Sequence, residues 1–152
     1  MPVNTLFSST KDLAGVSPNW RIDLHHRILV ADDDHWICSF NAELLVQHGF
    51  YVDTAKNGAI AWAAVQRNKN KYDLLITDNK MPKLSGLELV RKIHNACIPL
   101  PAIMASGAVP TDELDRNQWF NIEAVLHKPY TAERLLETVR NVLIMNGTEL
   151  ST

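Results

Sequence analysis

The chain has 152 residues, a length that sets a prior of one domain. Apolar residues make up 46% and charged residues 21%, close to the globular average, which excludes a disordered chain, a collagen and a coiled coil. Lysine and arginine number 15 and the acids 17, a formal charge of −2 that offers no basic field to nucleic acid.

Two cysteines, Cys38 and Cys97, are too few for a disulfide framework and suit a reducing compartment. Apolar runs such as Leu100–Ala105 fall short of the roughly 20 residues that span a bilayer. The N-terminus lacks a basic region followed by an apolar core. The expectation is a soluble, cytoplasmic protein that engages neither membrane nor nucleic acid.

Residues 1–26 carry Ser, Thr, Asn and Pro among apolar residues without period, and read as a loosely ordered arm. A single domain is expected over 27–146, with a short tail at 147–152. "RILVA" is a short β-branched run, typical of a strand buried on both faces. After "DDDHW", Ile37, Phe40, Leu44 and Leu45 recur at helical spacing, with Asp34 as the N-cap and Gly49 as the stop. Cys38 falls on this helix as a small core residue. "FYVDTA" predicts a second strand, "KNG" a turn, and Ala59 to Arg67 a second helix.

"DLLIT" predicts the third strand, followed by the loop "DNKMPKLSG" and a third helix over Leu87 to Asn95. Pro99 and Pro101 bound the fourth strand, "AIMAS". "GAVPTDE" opens a short fourth helix, and "EAVLHK" is the fifth strand. Thr131 caps a fifth helix whose apolar face is Leu135, Leu136, Val139, Val142 and Leu143. The four tryptophans are read as packing residues.

Five apolar strands alternating with five helices predict an α/β fold, a doubly wound parallel sheet with right-handed crossovers. Such sheets place their working site at the carboxyl ends of the strands. Strand one ends in Asp32, Asp33 and Asp34, strand three in Asp78, strand four in Ser106 and strand five in Lys128. Two carboxylates about 5 Å apart repel by roughly 3 kcal/mol at an effective dielectric of 20, which calls for a cation. Mg²⁺ or Mn²⁺, hard ions with oxygen ligands, fit that demand. A carboxylate can attack a phosphoryl group, and Asp78, the lone acid among the other groups, is the natural nucleophile.

These strings resemble a response-regulator receiver domain of two-component signalling, from about Arg27 to Met145. "ILVADDD" resembles the family's strand and acidic pair, and "DLLITDNKMPKLSGLEL" the segment around its phosphorylated aspartate. "AIMASGA" resembles the strand ending in a hydroxyl residue, and "VLHKPY" the Lys-Pro-aromatic ending of strand five. The resemblance implies a flavodoxin-like (βα)5 fold with strand order 2-1-3-4-5. It implies phosphoryl transfer to Asp78 from the phosphohistidine of a sensor histidine kinase or a histidine phosphotransfer protein. Asp32, Asp33, Asp78 and the backbone carbonyl of Lys80 would hold the metal. Ser106 would be the switch hydroxyl and Lys128 the phosphate-pairing amine.

Val125 stands where the family often has a mobile aromatic residue, so output is expected through loop and fourth-helix movement. Gly107 follows the hydroxyl residue where Ala is usual. Lys80 and Ala108 occupy the positions that tune dephosphorylation, and Ala108 offers no hydrogen bond to an attacking water. The resemblance places the output surface on the fourth helix, fifth strand and fifth helix, for a downstream protein or a phosphorylation-dependent homodimer. Beyond assisting its own phosphorylation and dephosphorylation, no enzyme activity is expected. A haloacid-dehalogenase-type phosphatase would need an acidic pair after Lys128, which is missing. A flavodoxin-like electron carrier would place cofactor phosphate where three aspartates repel it.

Overall fold

The structure, a computed structural model, describes residues 26–107 and 122–147. The strands are β1 (Arg27–Ala31), β2 (Tyr51–Ala55), β3 (Leu74–Asp78), β4 (Ala102–Ser106) and β5 (Ile122–His127). Between and after them lie the helices α1 (His35–Gln47), α2 (Gly58–Arg67), α3 (Gly86–Asn95) and α4 (Ala132–Met145). The arm up to residue 25, the expected fourth helix with Ala108, and residues 148–152 fall outside the described residues. The helix expected as the fifth is therefore α4.

All strands are parallel, in the order β2-β1-β3-β4-β5 that the family resemblance implied. The register pairs Ala31 with Thr77, Asp78 with Ala105 and Ser106 with His127. The ends of four strands, β1, β3, β4 and β5, thus meet along one edge of the sheet.

Side chains alternate across the pleat and divide the core in two. Leu29, Leu75 and Met104 face α2 and α3, where Ala61, Val65, Leu89, Val90 and Ile93 cover them. Ile28, Val30, Ile76, Ile103 and Leu126 face Leu45 of α1 and Leu135, Val139, Val142 and Leu143 of α4. The expected apolar face of the last helix is the buried one. Truncating one of these fully buried leucines to alanine costs about 2–5 kcal/mol.

Two expectations shift. Double-sided burial holds for β1, β3 and β4, but β2 is an edge strand that exposes Tyr51 and Thr54 and half-buries Asp53. Its acid serves polar partners: Tyr72 Oη donates to Asp53 Oδ2 at 2.7 Å, and Lys71 and Arg27 pair with the same carboxylate at 3.1 and 3.6 Å.

In α1 the buried residues are Cys38, Asn41 and Leu45; of the expected set Leu45 is buried and Leu44 packs against the core, while Ile37 is only half-buried and Phe40 turns outward. Phe40 is 48% exposed and Trp36, read as a packing residue, is 80% exposed. Two overlapping stripes of this helix are apolar, so periodicity could not choose between them. The cap chooses: Asp34 accepts from the N–H groups of Trp36 and Ile37, which sets where the first turn points.

Candidate functional site

The chain leaves β1 at Asp32 and β3 at Asp78, both held at the mouth of the sheet by backbone pairing. Asp32 N donates to Ala55 O, and Asn79 N donates to Ala105 O. Ser106 closes β4, and its carbonyl accepts from Lys128 N at 3.0 Å, lacing the loop after β5 to the end of β4. Asp32, Asp78 and Ser106 are 3%, 8% and 2% exposed. Asp33 is exposed, one residue further out.

The side chains converge. Lys128 Nζ lies 3.2 Å from Asp32 Oδ2 and 3.1 Å from Asp78 Oδ1. Asp32, Asp33 and Asp78 each offer an oxygen within 4.8 Å of the others. Beside them an open cavity of about 380 Å³ is lined by Asp78, Lys80, Ser106, Gly107 and Lys128. Asp32 Oδ1 also accepts from Asp34 N at 2.9 Å.

Burial is the largest influence on Asp32 and raises its carboxyl above the usual carboxylate range, against the pull of the Asp34 N–H and the Lys128 charge. Burial pulls the Lys128 ammonium down. The charge of Asp32 and the hydrogen bond and charge of Asp78 outweigh it, so Lys128 ends above its ordinary value. The two partners differ because their depths differ: the Asp32 side chain is 4% exposed and that of Lys128 is 22%. One ammonium thus faces three carboxylates, one of them costly to ionise. Hard oxygen donors around an excess of negative charge suit a divalent cation of the Mg²⁺ type.

The sequence of residues 28–140 matches the response regulator receiver domain family. The chain belongs to that family. This receiver domain is 30% identical over 120 residues to the transcriptional regulatory protein CpxR homolog of Haemophilus influenzae, covering 77% of this chain and 50% of that protein. It is 34% identical over 121 residues to the 3′,5′-cyclic-nucleotide phosphodiesterase regA of Dictyostelium discoideum, covering 77% of this chain but 15% of that protein. The chain therefore spans half or less of the length of these two relatives.

A solved receiver-domain structure from Clostridium thermocellum superimposes with a TM-score of 0.73 at 30% identity, covering 80% of this chain and 96% of that one. A CheY-like receiver-domain protein from Methanospirillum hungatei gives 0.72 at 26% identity, covering 79% and 94%. Family membership places the chain in phosphorylation-based two-component signalling.

Within the receiver domain the expected residues fall into place to different degrees. Asp32, Asp33, Asp78, Ser106 and Lys128 meet at one end of the sheet, and Lys80 lines the same cavity while exposed. Asp34 is the N-cap of α1. Val125 is half-buried on β5, opposite Met104, and packs against the core. Ala108 lies outside the described residues.

Two supporting groups were not foreseen. Asn79 folds the loop after β3: its carbonyl accepts from Gly86 N at 2.9 Å and its side chain accepts from Leu87 N at 3.1 Å. Asn41 of α1 donates to Tyr130 Oη at 2.8 Å. The available signal was an amide at helical spacing between apolar residues, three residues after Cys38 and four before Leu45.

Proposed function

We propose that Asp78 is the phosphoacceptor of this receiver domain and that its phosphorylation switches a protein-contact surface. The supporting observation is the Lys128 ammonium held between Asp32 and Asp78 at the mouth of an open cavity. An Asp78 carboxylate oxygen attacks the phosphorus of a phosphohistidine. The P–N bond breaks, and the imidazole departs with its electron pair. The donor is a sensor histidine kinase or a histidine phosphotransfer protein.

Asp32, Asp33, Asp78 and the Lys80 carbonyl would hold Mg²⁺ or Mn²⁺, which when bound neutralises charge on the phosphoryl oxygens. Lys128 already stands against Asp78 and pairs with the incoming group. The Ser106 hydroxyl closes β4 beside it and donates to a phosphoryl oxygen once the group has arrived. That inward movement of Ser106 and Lys128 reshapes the surface of the expected fourth helix, β5 and α4. A downstream protein or a second phosphorylated copy reads this surface, with no turnover beyond the domain's own phosphorylation and dephosphorylation. The setting is cytoplasmic, where such kinases present their phosphohistidine.

Incubation with Mg²⁺ and acetyl phosphate, followed by intact mass, tests the assignment. One added phosphoryl group that disappears in Asp78→Asn is expected. No adduct, or one mapped to a serine, overturns it.

A further inference from the structure

Asn41 is 2% exposed, yet only half of its amide is used. Its Nδ2 donates to Tyr130 Oη at 2.8 Å, while its Oδ1 is buried and has no partner among the described residues. A buried acceptor left empty costs free energy, and replacing both members of such a pair by apolar groups of similar shape is close to neutral or stabilising. Leucine and phenylalanine would fill this space without that cost. Packing alone therefore gives no reason for an amide and a phenol here.

Their placement supplies one. Asn41 lies on α1, which starts from the Asp34 cap directly after Asp32 and Asp33. Tyr130 lies two residues after Lys128, whose ammonium bridges Asp32 and Asp78. The hydrogen bond thus closes a ring from the acidic end of β1, through α1, to the loop that carries the lysine. The groove above it does not clamp that loop: Trp36 and Phe40 line an open space of about 510 Å³ together with Pro129 and Tyr130.

We propose that Asn41 and Tyr130 are a positioning pair that holds the Lys128 ammonium at its distance from Asp78. Neither touches the reacting atoms. Both act through the loop that ends β5. The proposal rests on the reading of Asp78 as phosphoacceptor, and it goes beyond that reading by assigning two residues outside the acidic pocket.

The test uses the full chain with Tyr130→Phe, Asn41→Leu and the double variant. The initial rate of adduct formation with acetyl phosphate in saturating Mg²⁺ is expected to fall about fivefold in each single variant, the equivalent of losing one hydrogen bond. The double variant should be no slower than either single one, because both remove the same contact. Melting temperatures in EDTA should be unchanged or higher in the double variant, so that its slower adduct formation is not a loss of fold. Independently of phosphorylation, the ¹H–¹⁵Nζ signal of Lys128 should shift or broaden in Tyr130→Phe.

Wild-type rates and an unmoved Lys128 signal overturn the positioning role while leaving Asp78 as acceptor. A wild-type chain that forms no Asp78 adduct overturns the acceptor reading, and the Lys128 signal still decides whether the pair positions the lysine.

Discussion

The ammonium nitrogen of Lys128 lies 3.1 Å from Oδ1 of Asp78, across the gap between the loop that leaves β5 and the end of β3. The same nitrogen touches Asp32, so one ammonium separates two buried carboxylates. Removing it leaves like charges facing one another in a partly dry pocket, at a cost of about 2–4 kcal/mol. Lys128→Ala should therefore melt well below wild type in EDTA. A divalent ion that binds only the folded state restores stability, by about 2.7 kcal/mol at a hundredfold excess over its dissociation constant. Thermal melts of both proteins with EDTA and with Mg²⁺ check this. A Lys128→Ala deficit untouched by Mg²⁺ would count against a cation among Asp32, Asp33 and Asp78.

Gly86 opens α3 directly beneath the acceptor. A Cβ there would press into the Asp78 carbonyl oxygen and come within 2.9 Å of the Met104 sulfur. Neither the strand backbone nor a buried side chain can yield freely, so Gly86→Ala should lose about 1–3 kcal/mol and slow adduct formation. Gly107, beside Ser106, has nothing among the described residues within 4 Å of its Cβ position. Gly107→Ala should stay within about 0.5 kcal/mol of wild type. Chemical denaturation of the two variants separates the cases, and equal losses would contradict the contact geometry.

Asp53 on the edge strand gives a pH dependence of its own. Burial raises its carboxyl, but the hydrogen bonds from Tyr72 and Lys71 and the charges of Lys71 and Arg27 prevail, so it titrates below the ordinary 3.8. The unfolded chain then binds a proton at a higher pH than the folded one, and stability rises with pH across that window. The contribution is complete above the ordinary carboxylate range and disappears as pH falls through the depressed native value. Denaturation midpoints of wild type and Asp53→Asn should therefore differ at pH 6 and converge as the pH drops to about 2. A difference that stays constant over this range would remove the carboxylate from the account. The burial and the Asp53 hydrogen bond that hold Tyr72 far above its ordinary value predict that its phenol does not ionise in the folded protein at pH 10. Ultraviolet titration checks that.

Lys80 and Ala108 set the expectation for the lifetime of the phosphoryl group. With no carboxylate or amide at Ala108 to orient a water, decay should take minutes or longer, and Ala108→Asn should shorten it. Loss of radiolabelled phosphate in Mg²⁺ measures both. A wild-type lifetime of seconds contradicts the expectation.

Much of this molecule was legible before any coordinates. The runs "RILVA", "DLLIT" and "AIMAS" are too apolar to sit anywhere but between two layers of helix, and β1, β3 and β4 are buried as that requires. Their terminal residues announced the site, because acids, a hydroxyl and an amine at the carboxyl ends of parallel strands must share one edge. Less was legible where two answers satisfied the same pattern. In α1, apolar residues on adjacent stripes hid the helix phase, and periodicity did not mark Asn41 as buried. At β2, a strand-like string gave no sign of lying at the edge, so the partners of Asp53 came from β1 and the approach to β3.

Residue order alone determined the alternation of strands and helices, the end of the sheet that carries chemistry and the identity of its charged groups, since local periodicity and turn chemistry act over a few positions. Tertiary structure alone decided which carboxylates Lys128 touches, which face of α1 turns inward and that Asn41 meets Tyr130. Those contacts join residues as many as 96 positions apart, and only the packing of strands and helices in three dimensions brings them within a few ångströms.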